Sequence, residues 1–257
     1  MKKILTLLAV LLTFTAQAQE SRIGYASENV INAAESGWQA RLGAGYLIGG
    51  TAPLPIPRAI RGIEGFNPGV NFSLEASMQK VFAGSRWGVQ AGLRFDTKGM
   101  TTDANTKNYH MEMSNADGSK IVGSWTGKVK THVNNTYVSV PLLATYSINE
   151  RWTLSAGAYA SLLIKGEFNG EAYDGYIRDQ NPTGEKTEVS SAQYDFSDDI
   201  VKFNWGIQAG GEYRIYRHLA VFANLQWGLK GIFPEDYSCV PFALKPIYAT
   251  IGFNYLF

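Results

Sequence analysis

Eight stretches of this chain alternate apolar and polar residues with a period of two. A β-strand points successive side chains to opposite faces, so the pattern specifies a sheet whose two faces meet different environments. In one stretch Val201, Phe203, Trp205, Ile207, Ala209, Tyr213 and Ile215 oppose Lys202, Asn204, Gln208, Glu212 and Arg214. The last stretch runs to the C-terminus, where Ile247, Ala249, Ile251, Phe253, Tyr255 and Phe257 oppose Tyr248, Thr250, Gly252, Asn254 and Leu256. The others begin at Trp38, Val70, Trp87, Val138, Trp152 and Leu219. Each is long enough for the roughly 9–11 tilted residues that cross a bilayer. Tight turns at 83–86, 149–151 and 216–218 alternate with long connections near 50–67, 100–133, 167–200 and 231–243. Short turns on one side and long loops on the other predict an all-β, transmembrane, antiparallel up-and-down barrel of about eight strands, with the turns in the periplasm.

The N-terminus fits that destination. Lys2 and Lys3 precede an apolar run, Ile4–Phe14, and Ala16-Gln17-Ala18 is a small-residue cleavage site. These are the parts of a secretory signal peptide, and the run is too short for a stable membrane helix. The expected organisation is a cleaved signal peptide at 1–18, a periplasmic tail at 19–36 with a helical turn or two around Glu28–Glu35, and a barrel over 37–257. No Cys follows the cleavage site, which argues against a lipid anchor, and the single Cys239 allows no internal disulfide. A net charge of +1 gives no field that favours nucleic acid.

A soluble lipocalin-like barrel also alternates, with its apolar face inward around a ligand. Two features favour the opposite orientation here. The polar face carries glycines and charges of both signs, namely Arg41, Glu75, Arg94, Asp96, Lys98, Lys202, Glu212, Arg214 and Lys230. Glycine suits a crowded barrel interior. The apolar face carries Trp38, Trp87, Tyr146, Trp152, Tyr213, Tyr255 and Phe257 near the turn-side ends of the strands. Aromatic rings with a polar edge prefer the membrane–water interface, so this set predicts a periplasmic girdle. An eight-stranded barrel is filled by its own side chains. Its charges are then buried and must be paired. The expectation is a lumenal network in which Glu75, Asp96 and Glu212 compensate the arginines and lysines.

The signal peptide, the glycine- and tyrosine-containing first strand and the ending "KPIYATIGFNYLF" resemble the outer-membrane β-barrel proteins of Bacteroidota known as the PorT-like group. The resemblance covers the mature chain and is architectural. It implies an outer-membrane location, contact with membrane lipid and lipopolysaccharide, and delivery by barrel-assembly machinery that reads the C-terminal strand. Some members assist secretion, but no motif here carries that role over.

The loops hold no assembled chemistry. His110, His132 and His218 are scattered, and metal ligation needs convergent ligands. The 167–200 segment is acidic, with Glu167, Glu171, Asp174, Asp179, Glu185, Glu188, Asp195, Asp198 and Asp199, but it lacks EF-hand spacing. Its aromatics Phe168, Tyr173, Tyr176, Tyr194 and Phe196 suggest a binding surface for a partner. Pro53, Pro55 and Pro57 predict a stiff, extended first loop. Strand-like stretches such as "GSWTGKVKTHVNN" suggest that barrel strands continue above the membrane. The expected function is therefore a non-enzymatic, structural or surface-interaction barrel with a plugged lumen and no cofactor or metal. Two alternatives stay open. One is a lipid A acyl hydrolase or transferase, for which parity puts His132 on the outer face near the rim with Ser124 upstream but no second element fixing a triad, and the other is a narrow solute channel.

Overall fold

The computed structural model describes residues 38–114, 120–179, 183–235, 237, 239–240 and 242–257. The expected signal peptide (1–18) and periplasmic tail (19–36) lie outside the described residues. Eight strands close a ring: β1 (Trp38–Pro53), β3 (Asn71–Val81), β4 (Trp87–Ser114), β5 (Lys120–Ser147), β6 (Trp152–Lys165), β9 (Phe203–Tyr216), β10 (Leu219–Gly228) and β11 (Leu244–Leu256). Every neighbouring pair is antiparallel, and β11 closes against β1 with Arg41 opposite Leu256 and Gly43 opposite Asn254. Closure leaves no sheet edge within the bilayer, where an unpaired backbone group has no water to turn to.

The partition of side chains is inverted relative to a soluble protein. Leu42, Leu74, Leu142, Leu154, Leu225, Ile251 and Phe253 are exposed on the outer wall. Ser73, Gln79, Gln90, Ser139, Thr145, Gln208, Gln226 and Thr250 are buried inside it. An apolar ligand cavity of the lipocalin kind is therefore not what this barrel encloses. Small residues allow strands and side chains to meet within it. A Cβ at Gly210 would clash with the side-chain oxygen of Asn224, and one at Gly43 with that of Asn254.

Much of what reads as loop is strand. β4 and β5 are 28 residues each and stay paired from Trp87–Tyr146 up to Ser114–Lys120. Above the barrel, β5 pairs with β7 (Phe168–Asp179), β7 with β8 (Lys186–Asp195), and Gln193 of β8 returns to Ser114 of β4. These strands surround a second, apolar core of Trp125, Val129, Val133, Phe168, Ala172, Ile177, Ala192, Tyr194 and Phe196, which the 231–243 segment covers with Ile232, Phe233 and Val240. A β-bulge near Gly127 allows tight packing there, because a Cβ would sit 2.7 Å from both Gly175 Cα and the Trp125 ring. On the other side of β4 stands β2 (Ile60–Asn67).

Candidate functional site

The lumenal ion pairs and their amide partners come from inward positions of β1, β3, β4, β9 and β11. On β4, Arg94, Asp96 and Lys98 fall at every second residue and so share the inner face, where they are 2%, 0% and 3% exposed. Arg94 Nε donates to Asp96 at 2.9 Å, and its Nη1 donates to Gln208 at 2.6 Å and reaches Glu75 at 3.5 Å. Lys98 Nζ lies 3.8 Å from Asp96 and within 5.2–5.7 Å of the ring centres of Tyr137, Tyr159 and Tyr248. An ammonium without water is stabilised by such ring faces, so the three tyrosines stand in for solvent. Nearer the periplasm, Arg41 Nη1 donates to Glu212 at 3.1 Å, and Asn254 donates to the same carboxylate at 2.6 Å. The space between these groups is a cavity of about 30 Å³ lined by Arg41, Glu75, Gln90, Gln208, Glu212 and Asn254. That is room for about one or two waters.

Six of the nine expected network residues thus meet, as three cations with three carboxylates. The other three stand apart. Lys202 precedes β9 and is exposed at the upper rim. Lys230 lies beyond β10 with its ammonium 5.9 Å from the Phe203 ring, on the outer side. Arg214 is half-buried at the periplasmic end of β9 and has no carboxylate within ion-pair distance among the described residues. Parity assigned all three inward, but two of them sit past the paired strand where parity stops deciding the face. Tyr137, Tyr159 and Tyr248 were missed as lumenal partners, although parity within β5, β6 and β11 points each of them inward.

The turn-side aromatics do gather at one level. Trp87 and Tyr146 are opposite each other with ring centres 4.9 Å apart, as are Trp152 and Tyr213. Tyr255 meets Phe257 at 4.9 Å and His218 at 5.7 Å, and Lys80 lies 5.5 Å over Trp38. A second outward belt was not expected. Tyr46, Phe72, Phe95, Phe203, Trp205 and Trp227 are exposed toward the other end of the same strands. From Trp152 to Leu162, which faces Phe203, β6 rises over roughly 25 Å at the tilt usual for such barrels, the height of a hydrocarbon layer.

Above this level the expected binding surface is partly dismantled. Phe168, Tyr194 and Phe196 pack inward in the extracellular core, and only Tyr173 and Tyr176 of that group stay half-exposed. Burial pushes the Tyr194 phenol up, and its oxygen lies 2.6 Å from Thr131 Oγ1. Tyr173 donates to Asp103 at 2.7 Å, which pushes its phenol up to about 12. His132 is exposed with Nδ1 3.0 Å from Thr101 Oγ1, whereas Ser124 is buried eight positions away along β5. Eight residues of strand separate them by roughly 26 Å, so they form no catalytic pair. Among the described residues no three His, Cys, Asp or Glu side chains converge as metal ligands.

A family model described as outer membrane protein beta-barrel domain matches residues 17–234. A comparison with curated proteins gives no match. Among solved structures, the chain is similar to Ail, the attachment invasion locus protein of Yersinia pestis, in a complex with the heparin analogue sucrose octasulfate. That match has 13% identity and a TM-score of 0.39, covering 86% of this chain and 100% of Ail. It is also similar to Neisserial surface protein A, with 10% identity and a TM-score of 0.31, over 86% of this chain and 98% of that one. OprG of Pseudomonas aeruginosa matches with 13% identity and a TM-score of 0.28, over 86% and 95% of the two chains. At these scores the likenesses say nothing of what this chain binds.

Proposed function

The chain belongs to the outer membrane protein beta-barrel domain family and is integral to the bacterial outer membrane; on that premise we propose that it is a closed, non-enzymatic barrel acting as a structural and surface-interaction protein. The observation that carries this reading is the paired charge network across the lumen, with Asp96 fully buried between Arg94 and Lys98. A water-filled ion path needs hydrated charges and an open bore, whereas these groups are paired with one another, and Lys98 lies among tyrosine rings. The folded extracellular unit supports the second half of the proposal, since a core of its own holds a fixed surface above the membrane. Within the family, the closing strand and its aromatic end favour the PorT-like group of Bacteroidota.

Planar bilayers test the closed lumen. Purified protein is expected to give no stable channels, and large, steady open channels contradict the reading. The enzymatic alternative is tested by lipid A mass spectra from cells with and without the protein, where identical acyl patterns are expected.

A further inference from the structure

The tryptophans that open β4 and β6 are each preceded by arginine, as Arg86-Trp87 and Arg151-Trp152. The surroundings repeat as well. Each tryptophan stands opposite a tyrosine, Tyr146 or Tyr213, with ring centres 4.9 Å apart. Each arginine carbonyl accepts the amide of the residue after that tyrosine at 2.8 Å, from Ser147 and from Arg214. Each tryptophan amide donates back into its own turn, Trp87 to Ser85 Oγ at 3.1 Å and Trp152 to Asn149 Oδ1 at 2.8 Å. At a third corner His218 holds the arginine's place. Its carbonyl accepts the Leu256 amide at 2.9 Å, and its ring lies 5.7 Å from that of Tyr255.

Only the carbonyl of each arginine enters this frame, so the frame itself does not call for a cation. Arg86 and Arg151 are exposed, and neither has a carboxylate within ion-pair distance among the described residues. Glu150 is the one acidic side chain in the turns at 82–86, 148–151 and 217–218. Arg151 Nη1 donates to the Tyr213 hydroxyl at 3.3 Å, which holds the guanidinium beside the outward Trp152–Tyr213 ring pair. A guanidinium presents a planar fork of N–H donors that fits a phosphate, and this contact uses one of them. Rings of this kind rest at the level of the phospholipid headgroups, so phosphate is the anion within reach. The outer belt is built otherwise. Trp205 and Trp227 are preceded by Asn204 and Gln226, both buried inside the barrel.

We propose that the Arg86-Trp87-Tyr146 and Arg151-Trp152-Tyr213 corners bind the headgroup phosphate of an anionic phospholipid in the periplasmic leaflet. The rings lie on the lipid-facing wall at the arginines' level, which selects a lipid over a soluble phosphate. This assignment rests on the membrane-barrel reading and names a partner for its periplasmic rim.

Fluorescence quenching in phosphatidylcholine vesicles tests it. A small share of the lipid carries bromines near the headgroup, as phosphatidylglycerol in one set of vesicles and as phosphatidylcholine in the other. Single-tryptophan variants keep Trp87, Trp152 or Trp205, and heat-modifiable gel mobility confirms that each has folded. Brominated phosphatidylglycerol is expected to bind beside Trp87 and Trp152 roughly fivefold more tightly than brominated phosphatidylcholine, the worth of one cation at a membrane surface. At Trp205 the two lipids are expected to quench alike. Arg86→Gln is expected to abolish the preference at Trp87, and Arg151→Gln that at Trp152. Millimolar glycerol phosphate is expected to leave both preferences in place. Equal quenching by the two lipids at Trp87 and Trp152 overturns the sites, as does a preference that the glutamines leave unchanged or that Trp205 shares. A preference abolished by glycerol phosphate assigns the arginines to soluble phosphate and overturns the lipid assignment. Native mass spectrometry of the unaltered chain, loaded from an equal mixture of the two lipids, needs no variant. Phosphatidylglycerol is expected to be retained over phosphatidylcholine, and equal retention overturns the proposal. Tryptophans that neither lipid quenches would instead overturn the barrel reading itself, so the two failures are distinct.

Discussion

Single residues in the lumen do work that a soluble core never asks of them. Arg41 and Glu212 are buried together, and removing one strands the other. Arg41→Leu is expected to cost about 3–5 kcal/mol, because Glu212 is left charged and unpaired. The double variant Arg41→Leu with Glu212→Leu is expected to recover most of that loss. Urea unfolding in phospholipid vesicles, followed by tryptophan fluorescence, measures both. A double variant as unstable as the single would remove the pair from the account. Arg41, Glu75, Arg94, Asp96, Lys98 and Glu212 were legible because each sits at an inward position of a long alternating run. The tyrosines around Lys98 were not singled out, because nothing in the sequence states that Lys98 rises to their level. Lys202 and Lys230 were misread because inward parity has no meaning once the pairing ends.

At the scale of the strand, β5 shows why the extracellular unit was hard to see. Its inward residues within the membrane include the polar Asn135, Tyr137, Ser139 and Thr145 beside Leu143, whereas those above it are the apolar Trp125, Val129 and Val133. The parity never changes, whereas the polarity does. Lipid outside demands polar groups inside, and water outside demands the reverse. A pattern that flips polarity in mid-strand looks like a break, so 100–133 read as loop with strand-like pieces. Trp125→Ala is expected to destabilise this unit by about 3–5 kcal/mol through the cavity it opens. Limited proteolysis is then expected to cut within 100–133 while heat-modifiable mobility of the barrel persists. Loss of both together would mean that the two cores are one cooperative unit. At the closing strand, the Phe257 amide donates to Ala40 at 3.0 Å, and its ring packs on Tyr255. Deleting Phe257 is expected to lower the membrane-assembled fraction in cells, and assembly at the normal level would show that the terminal aromatic is dispensable.

The whole molecule is two cores stacked along one axis with opposite polarity rules. The eight-stranded ring, its direction and its outward apolar face were legible from period and loop length alone. The second aromatic belt was not, because Trp205 and Trp227 lie in the same alternation as the aliphatic residues and only closure sets their height. A charge on the outer wall reports the rule for the lower core. Leu142 is 64% exposed at mid-height, and Leu142→Arg is expected to cost about 2–4 kcal/mol in vesicles. A water-facing position would tolerate it.

The six tryptophans divide along the same lines. Trp38, Trp87 and Trp152 stand in the periplasmic belt, Trp205 and Trp227 in the outer one, and Trp125 in the extracellular core. Single-tryptophan variants in vesicles of bromine-labelled phospholipid therefore test the architecture most directly. The account predicts strong quenching of the five belt residues, greatest with bromines near the headgroups, and none of Trp125. Quenching of Trp125, or belt residues untouched by the labelled lipid, would contradict it.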